Sequence, residues 1–366
     1  MTSAATPAPD TPTGLRQGFD IAALERYLSA HLPGYAGPLQ VEQFEGGQSN
    51  PTYRLDTPSI SYVMRTKPGP VARLLPSAHA IEREYRVMHA LADTAVPVPR
   101  MLLLCEDESV IGRAFYLMEH ISGRIFWDQT LPGLAPTERT AIFEQLVDVM
   151  AALHSVDVSA VGLDGYGRPG SYFERQIARW SRQYQASITE PIAAMDALID
   201  WLPAHLPASA QDASRVAVVH GDYRLDNLMF HPSEPRVLAV LDWELSTLGH
   251  PLADFSYLCM SWHIPPATFR GIGGVDLAAL GIPDEASVIE RYCARMNRSL
   301  ATPLDPALLR ADWNFYLAYN MFRIAAILQG IARRVVDGTA SSAQARDAGA
   351  RARPLAELAW RYAQQA

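Results

Sequence analysis

The sequence predicts a two-lobed α+β protein, with a small antiparallel sheet and one main helix followed by a larger, mostly helical portion. Two observations carry this. From Leu39 to Arg65, apolar residues fall in short alternating runs punctuated by Gly and Pro; beyond Gly123 they recur at helical spacing almost to the end. With 366 residues, 49% of them apolar, the chain is long enough for two cores. A cleft between such lobes is the expected place for a small ligand.

The elements follow in order. Asp20-Ile-Ala-Ala-Leu-Glu-Arg-Tyr-Leu sets apolar residues at helical spacing behind an Asp N-cap, and Pro33-Gly34 ends the run. Gln40 to Phe44, Thr52 to Leu55 and Ser61 to Arg65 read as an antiparallel meander broken at Gly46-Gly47 and Pro58. Ser77 to Leu91 returns to helical period, and strands at Val98 to Leu104 and Arg113 to Ile121 flank the Glu106-Asp-Glu turn. Helices are expected at Pro136–His154, Ser171–Ser187, Ile192–Leu202, Glu285–Arg298, Pro306–Val336 and Ala340–Gln365. Strand-like pieces interrupt them at Val216–His220 and Arg236–Leu241. This divides the chain into a tail over 1–18, a first lobe over 19–121 and a second over 122–366.

Composition removes several function classes. The net charge of −8 comes from interspersed acids and bases, without the basic stripe that nucleic acid requires. Cys105, Cys259 and Cys293 form no CxxC pair and leave an odd number, which argues against a disulfide framework and suits a reducing cytoplasm. The Ala/Thr/Pro-rich start to about Gly18 reads as a disordered tail, lacking the basic and apolar regions of a signal peptide. No stretch approaches the roughly 20 apolar residues of a membrane span.

The chemistry is concentrated in Val219-His-Gly-Asp222-Tyr-Arg-Leu-Asp-Asn227 and Val240-Leu-Asp242-Trp-Glu244, each following an apolar run. Phosphoryl transfer needs one carboxylate to orient an attacking hydroxyl and others, with an amide oxygen, to hold Mg²⁺ against a triphosphate. Asp222-x-x-x-x-Asn227 has the spacing of a kinase catalytic loop, and Asp242 stands where the second metal-binding acid should follow. Singly, each Asp could equally cap a helix or close a turn. The joint spacing favours catalysis.

These two segments resemble the aminoglycoside phosphotransferase and choline kinase superfamily, which shares the protein-kinase fold. The resemblance covers roughly Val41 to Val336 and looks closest to the kinase-like domain that precedes an acyl-CoA dehydrogenase in some larger proteins. It implies an ATP- and Mg²⁺-dependent kinase acting on a small hydroxylated acceptor, with Asp222 as base and Asn227 and Asp242 as metal ligands. It makes His220 a structural brace and Asp254 a residue that hydrogen-bonds the catalytic loop. His250 reads as a helix-start residue.

The remaining ATP machinery is sought in the first lobe. Phe44-Glu-Gly46-Gly47-Gln48-Ser49-Asn50 lies between two strands, where glycines and small polar residues let backbone N–H groups approach phosphates. The segment departs from GxGxxG and also fits an ordinary hairpin turn. Tyr62-Val-Met-Arg65 matches the strand that carries a phosphate-pairing cation; Lys67, two residues on, shares its face. The carboxylate partner is Glu84 or Glu82, which point to different sides of a helix; Glu84 is preferred because it precedes the stripe Val87, Met88, Leu91. Phe115 to Gly123 resembles a lobe-joining hinge, so Glu119 C=O and Ile121 N–H would read adenine with Met118 beside the base. Arg224, two residues past Asp222, would support the transferring phosphoryl group, or else pair with Asp226 or another surface acid.

Two rival classes remain at this point. A metal-dependent hydrolase could gather His220, Asp222, Asp242, His250 and Asp254. A nucleotide-sensing module would bind without turnover. A regulated protein kinase is disfavoured, because Asp242-Trp-Glu replaces Asp-Phe-Gly and no Ala-Pro-Glu follows. The helices at Ser171–Ser187, Asp254–Trp262 and Trp313–Arg334 mix aromatics with Arg, which suits an apolar acceptor bearing an anion better than a polycation, while amphipathic core packing explains most of those apolar positions equally well. The resemblance ranks a hydroxyacyl-CoA or related hydroxylated acyl compound above an aminoglycoside or amino alcohol, with a functional link to an acyl-CoA dehydrogenase.

Overall fold

A computed structural model describes residues 18–44, 50–68, 80–168, 170–338 and 343–366. Along the chain, the first elements are α1 (Ile21–His31), β1 (Gln40–Gln43), β2 (Thr52–Asp56), β3 (Ser61–Thr66), α2 (Ile81–Leu91), β4 (Met101–Cys105) and β5 (Phe115–Glu119). Then come α3 (Pro136–His154), α4 (Tyr172–Ser187), α5 (Ala193–Ala204), α6 (Ala208–Gln211), β6 (Ala217–Val219), β7 (Leu228–Phe230), β8 (Val237–Val240) and β9 (Thr247–Gly249). The last are α7 (Pro251–Cys259), α8 (Leu277–Leu280), α9 (Glu285–Met296), α10 (Pro306–Ala311), α11 (Trp313–Val336), α12 (Ala343–Ala350) and α13 (Ala352–Ala363). The chain forms two compact units, both discontinuous in sequence. The first comprises Met1–Trp127, Ser159–Leu163 and Leu225–Ser246; the second comprises Asp128–Val158, Asp164–Arg224 and Thr247–Ala366.

The first unit is built on an antiparallel sheet of order β1-β2-β3-β5-β4. Asp20 starts α1 by accepting the Ala23 N–H at 3.0 Å, and Leu24 and Leu28 then pack on one sheet face with Tyr53, Leu55, Met64, Phe115 and Leu117. Each of these buried apolar side chains contributes on the order of 1.5–3 kcal/mol. Residues directly opposite in an antiparallel pair share a face. The register Thr52↔Arg65↔Tyr116 and Val63↔Met118 therefore sets five side chains together on the other face. The hairpin β7–β8 belongs to the same unit, and its Phe230 pairs in both directions with Arg124. Gly123 has to be glycine there, because a Cβ would lie 2.4 Å from the Phe230 carbonyl oxygen.

In the second unit, β6 pairs with β9, and α11 lies against α4, α7 and α13. Its core is aromatic: Phe173 meets Tyr319 edge-on at 4.9 Å, and Phe255 stacks on Tyr292 at 3.8 Å. Asp148 of α3 receives paired N–H donors from Arg291 and Arg295 of α9, each at 2.8 Å, which fixes these helices together. No helix among the described residues is long and apolar enough to cross a membrane.

Several boundaries differ from the sequence reading for local reasons. The strand expected from Val98 begins at Met101, since Pro97 and Pro99 lack the N–H that a ladder needs. The helix expected over Pro306–Val336 breaks at Asp312, whose carboxylate accepts the Ser209 hydroxyl. The final helical run breaks at Arg351, between α12 and α13. Of the expected tail, only Gly18 falls among the described residues, and 77–79 and 340–342 likewise lie outside them.

Candidate active site

In the first unit, the free sheet face and α2 surround a cavity of about 280 Å³. One end is apolar, lined by Val63, Met88, Met118, Ile125 and Leu241, and Trp127 stands there with 54% of its surface exposed. The other end is charged. Arg65 Nε lies 3.3 Å from Glu84 Oε2, while its Nη2 donates to Asp242 Oδ1 at 2.9 Å and reaches Glu244 at 3.7 Å. Lys67, further along that face, pairs instead with Glu82. The pairing thus divides the two cations between the two glutamates, with Arg65 and the buried Glu84 at the cavity.

Glu84 is only 1% exposed, and three groups hold it. Besides Arg65 they are the Asn50 amide at 2.8 Å and the Tyr116 hydroxyl at 3.1 Å. Burial pushes the Glu84 carboxyl above the ordinary carboxylate range, against the pull of Arg65 and these two donors. Burial also works against the charge on Arg65; the carboxylates of Glu84 and Asp242 reverse that and hold its guanidinium above the usual arginine value. Asn50, expected in a phosphate loop, has its side chain fully buried and bracing Glu84. Gly46, Gly47, Gln48 and Ser49 lie outside the described residues.

The β7–β8 hairpin sets the metal-ligand candidates side by side. Leu228 pairs with Val240, and the Leu241 N–H donates to the Asn227 carbonyl at 2.8 Å, so Asn227 and Asp242 leave the hairpin at the same end. Asp242 adopts the left-handed conformation, φ +65°, unusual for a non-glycine residue. That turn leaves its carboxylate 36% exposed at the cavity. At the cavity edge Glu119 uses its side chain to accept the Arg100 N–H at 2.8 Å, whereas the Ile121 N–H makes no hydrogen bond among the described residues.

The second unit holds Asp222. Strand β6 ends at Val219, and Gly221 turns the chain with φ +85°, a conformation that favours glycine. The Asp254 carboxylate, near the start of α7, accepts the backbone N–H of both His220 and Gly221, the latter at 2.8 Å. Burial alone would raise Asp254; His154, 3.6 Å away, with His220 and the Gly221 N–H outweighs it and holds the carboxyl below its ordinary value. His220 Nδ1 accepts the Asp222 N–H at 3.2 Å, and the Tyr223 hydroxyl anchors the loop on the Leu146 carbonyl at 2.9 Å. Asp222 then presents its carboxylate between two groups: Tyr257 donates to Oδ1 at 2.5 Å, and Arg224 Nε stands 3.3 Å from Oδ2.

The sequence profile of the phosphotransferase enzyme family matches residues 40–288, more than half of the chain. The chain belongs to this family. A presumed aminoglycoside phosphotransferase from Ralstonia eutropha is 63% identical, with a TM-score of 0.85 over 95% of this chain and 99% of that one. Mouse acyl-CoA dehydrogenase family member 10 is 48% identical over 93% of this phosphotransferase-family chain, and rat member 11 is 44% identical over 93%. The chain spans 31% and 42% of the length of those two relatives. Choline kinase from Cryptosporidium parvum, 10% identical with a TM-score of 0.65, shares the fold. The α+β architecture, with its five-stranded antiparallel sheet and helical second unit, is the protein-kinase-like fold of these phosphotransferases.

Within that fold, the donor set can be tested against Mg²⁺. Asn227 and Asp242 supply an amide oxygen and a carboxylate, which fits a small hard cation that takes its other ligands from phosphate and water. No group of three or more His, Cys, Asp or Glu among the described residues could hold a metal by itself. The groups that a hydrolase would need are engaged elsewhere: His220 braces the loop, His250 caps α7 by accepting the Leu252 N–H, and Asp254 holds backbone. Sequence reasoning missed Tyr116, which reaches Glu84 from β5 in the first unit, and Tyr257 and Arg323, which reach the Asp222 loop from α7 and α11 in the second. No local motif marks them; only the aromatic and Arg content of the last two helices pointed that way.

Proposed function

We propose that the chain is an ATP- and Mg²⁺-dependent kinase that phosphorylates a hydroxyl of a small molecule. The observation that carries this reading is the Arg65–Glu84–Asp242 cluster in a cavity that Val63, Met88, Met118, Ile125 and Leu241 also line. The apolar end suits adenine, with Met118 beside the ring, and the Glu119 C=O and Ile121 N–H as its reading pair. Arg65, oriented by Glu84, meets the phosphates, and Gly46, Gly47, Gln48, Ser49 and Asn50 cover them through backbone N–H groups. Bound Mg²⁺, held by Asn227 and Asp242, supplies charge neutralisation along the triphosphate. Asp222 orients the acceptor hydroxyl and takes its proton as the oxygen attacks the γ-phosphorus and the bond to the ADP leaving oxygen breaks.

Relatives named acyl-CoA dehydrogenase family members, of whose length this chain spans 31% and 42%, support a hydroxyacyl-CoA or similar hydroxylated acyl compound as acceptor, and a functional link to such a dehydrogenase. The three cysteines, all buried and free, suit a cytoplasmic setting. Incubation with ATP and Mg²⁺ against hydroxyacyl-CoAs, aminoglycosides, choline and sugars tests both levels. Transfer to a hydroxyacyl-CoA that stops with EDTA is the expected result. Transfer only to aminoglycosides would overturn the acceptor class, and no transfer to any alcohol would overturn the kinase reading.

Arg224 adds a separate prediction. Its Nε is within ion-pair distance of Asp222, so the cation sits beside the base. A group that stabilises charge developing in the transition state acts on turnover more than on ground-state binding. Arg224→Ala should therefore lower kcat more than it raises the KM for ATP. Steady-state kinetics that show only a KM effect, at wild-type kcat, would reduce Arg224 to a surface partner of Asp222.

A further inference from the structure

Arg323 is 7% exposed, and no carboxylate lies within ion-pair distance of it among the described residues. A buried cation is costly unless something compensates for its lost hydration. What surrounds this one is unusual: its Nη2 donates to the Gly221 carbonyl, and its guanidinium lies over the rings of Tyr257 at 5.1 Å and Trp180 at 5.6 Å. Cation–π contact and one carbonyl offset part of the desolvation. Both first-named partners lead to the same place. Gly221 precedes Asp222 in the chain, and the Tyr257 hydroxyl donates to Asp222 Oδ1.

We propose that Tyr257 and Arg323 are positioning residues that fix the carboxylate of Asp222 for proton abstraction, a role that rests on the reading of Asp222 as the base. An aspartate carboxylate turns about a broad, soft torsion and has no preferred orientation of its own. The Tyr257 hydrogen bond removes that freedom by holding Oδ1, which directs Oδ2 to the Arg224 side. Arg323 holds the Tyr257 ring from one side and the Gly221 backbone from the other, so donor and base keep a constant separation. Burial, with the Asp222 carboxylate adding to it, pushes the Tyr257 phenol well above the ordinary tyrosine range, so it remains a proton donor at any working pH. The sequence shows none of this, since α11 lies far along the chain from the loop it steadies.

The test uses the full chain. Turnover is ATP consumption with the best acceptor from the alcohol screen, and nucleotide affinity is measured by calorimetry with AMP-PNP and Mg²⁺. Tyr257→Phe keeps the ring and removes the hydroxyl; it should lower kcat roughly 10- to 100-fold, as misplacement of a reacting group does, with AMP-PNP affinity unchanged. Arg323→Met should act in the same direction, and Arg323→Lys, which retains a donor for Gly221, should recover part of the loss. A Tyr257→Phe enzyme with wild-type kcat overturns the proposal even if Arg323→Met fails to fold. An inactive wild type fails one level earlier, in the kinase reading, and takes the proposal with it; only an active wild type with an equally active Tyr257→Phe sinks the positioning role alone.

Discussion

Asp222→Asn should reduce phosphoryl transfer by roughly 10²–10⁴-fold while Mg²⁺–AMP-PNP still binds, because base catalysis and hydroxyl orientation are lost together. Its environment predicts a secondary effect. The carboxylate offers one oxygen to Tyr257 and the other to Arg224, and both neighbours are donors. An amide has one acceptor oxygen, so one of those donors must face an NH₂ group instead, a local loss on the order of 1 kcal/mol. Urea unfolding of the same variant therefore belongs beside the kinetics. A modest stability loss with a large loss of turnover fits the base assignment. Turnover within about twofold of wild type would show that the proton leaves by another route.

The candidate catalytic segments stand out in the sequence because their pattern is local: Asp222, Asn227 and Asp242 stand at short spacings after apolar runs, and the hairpin that brings Asn227 and Asp242 to one end needs no distant partner. Arg65 and Glu84 were legible as a strand cation and a helix carboxylate. Their neighbours at 82 and 67 were excluded only by burial, since Glu84 is enclosed by Asn50 and Tyr116 while Glu82 meets Lys67 nearer solvent. Asn50 itself was read as a loop residue because a polar side chain after Gly-Gly-Gln-Ser gives no sign that it will be buried. The strands β7 and β9 are three residues each, too short for a period to register, and they exist because the ladders beside them supply their hydrogen bonds. Tyr257 and Arg323 lie deeper still. On α7 and α11 their spacing is that of ordinary core positions, and their proximity to Asp222 is purely tertiary.

Removal of the Asp242 carboxylate should abolish the Mg²⁺-dependent part of nucleotide binding, and the backbone at this position calls for two variants. Asp242 is left-handed, where an alanine costs about 1–2 kcal/mol and asparagine is tolerated. Asp242→Ala therefore combines strain with loss of charge, and Asp242→Asn removes the charge alone. Asp242→Ala takes from Arg65 the acceptor it holds at 2.9 Å, Asp242→Asn still offers it an amide oxygen, and in both Glu84 remains at 3.3 Å, so the first unit retains its buried pair. For the wild type, AMP-PNP with Mg²⁺ at a hundred times its Kd should stabilise the fold by about 2.7 kcal/mol, most of it lost when EDTA replaces Mg²⁺. Neither variant should show that difference, because the carboxylate that would hold the ion is gone. Without ligand, Asp242→Asn should melt close to wild type and Asp242→Ala below it. A Mg²⁺ titration that stabilises Asp242→Asn as strongly as the wild type would mean that Asp242 serves only the turn and the Arg65 ion pair.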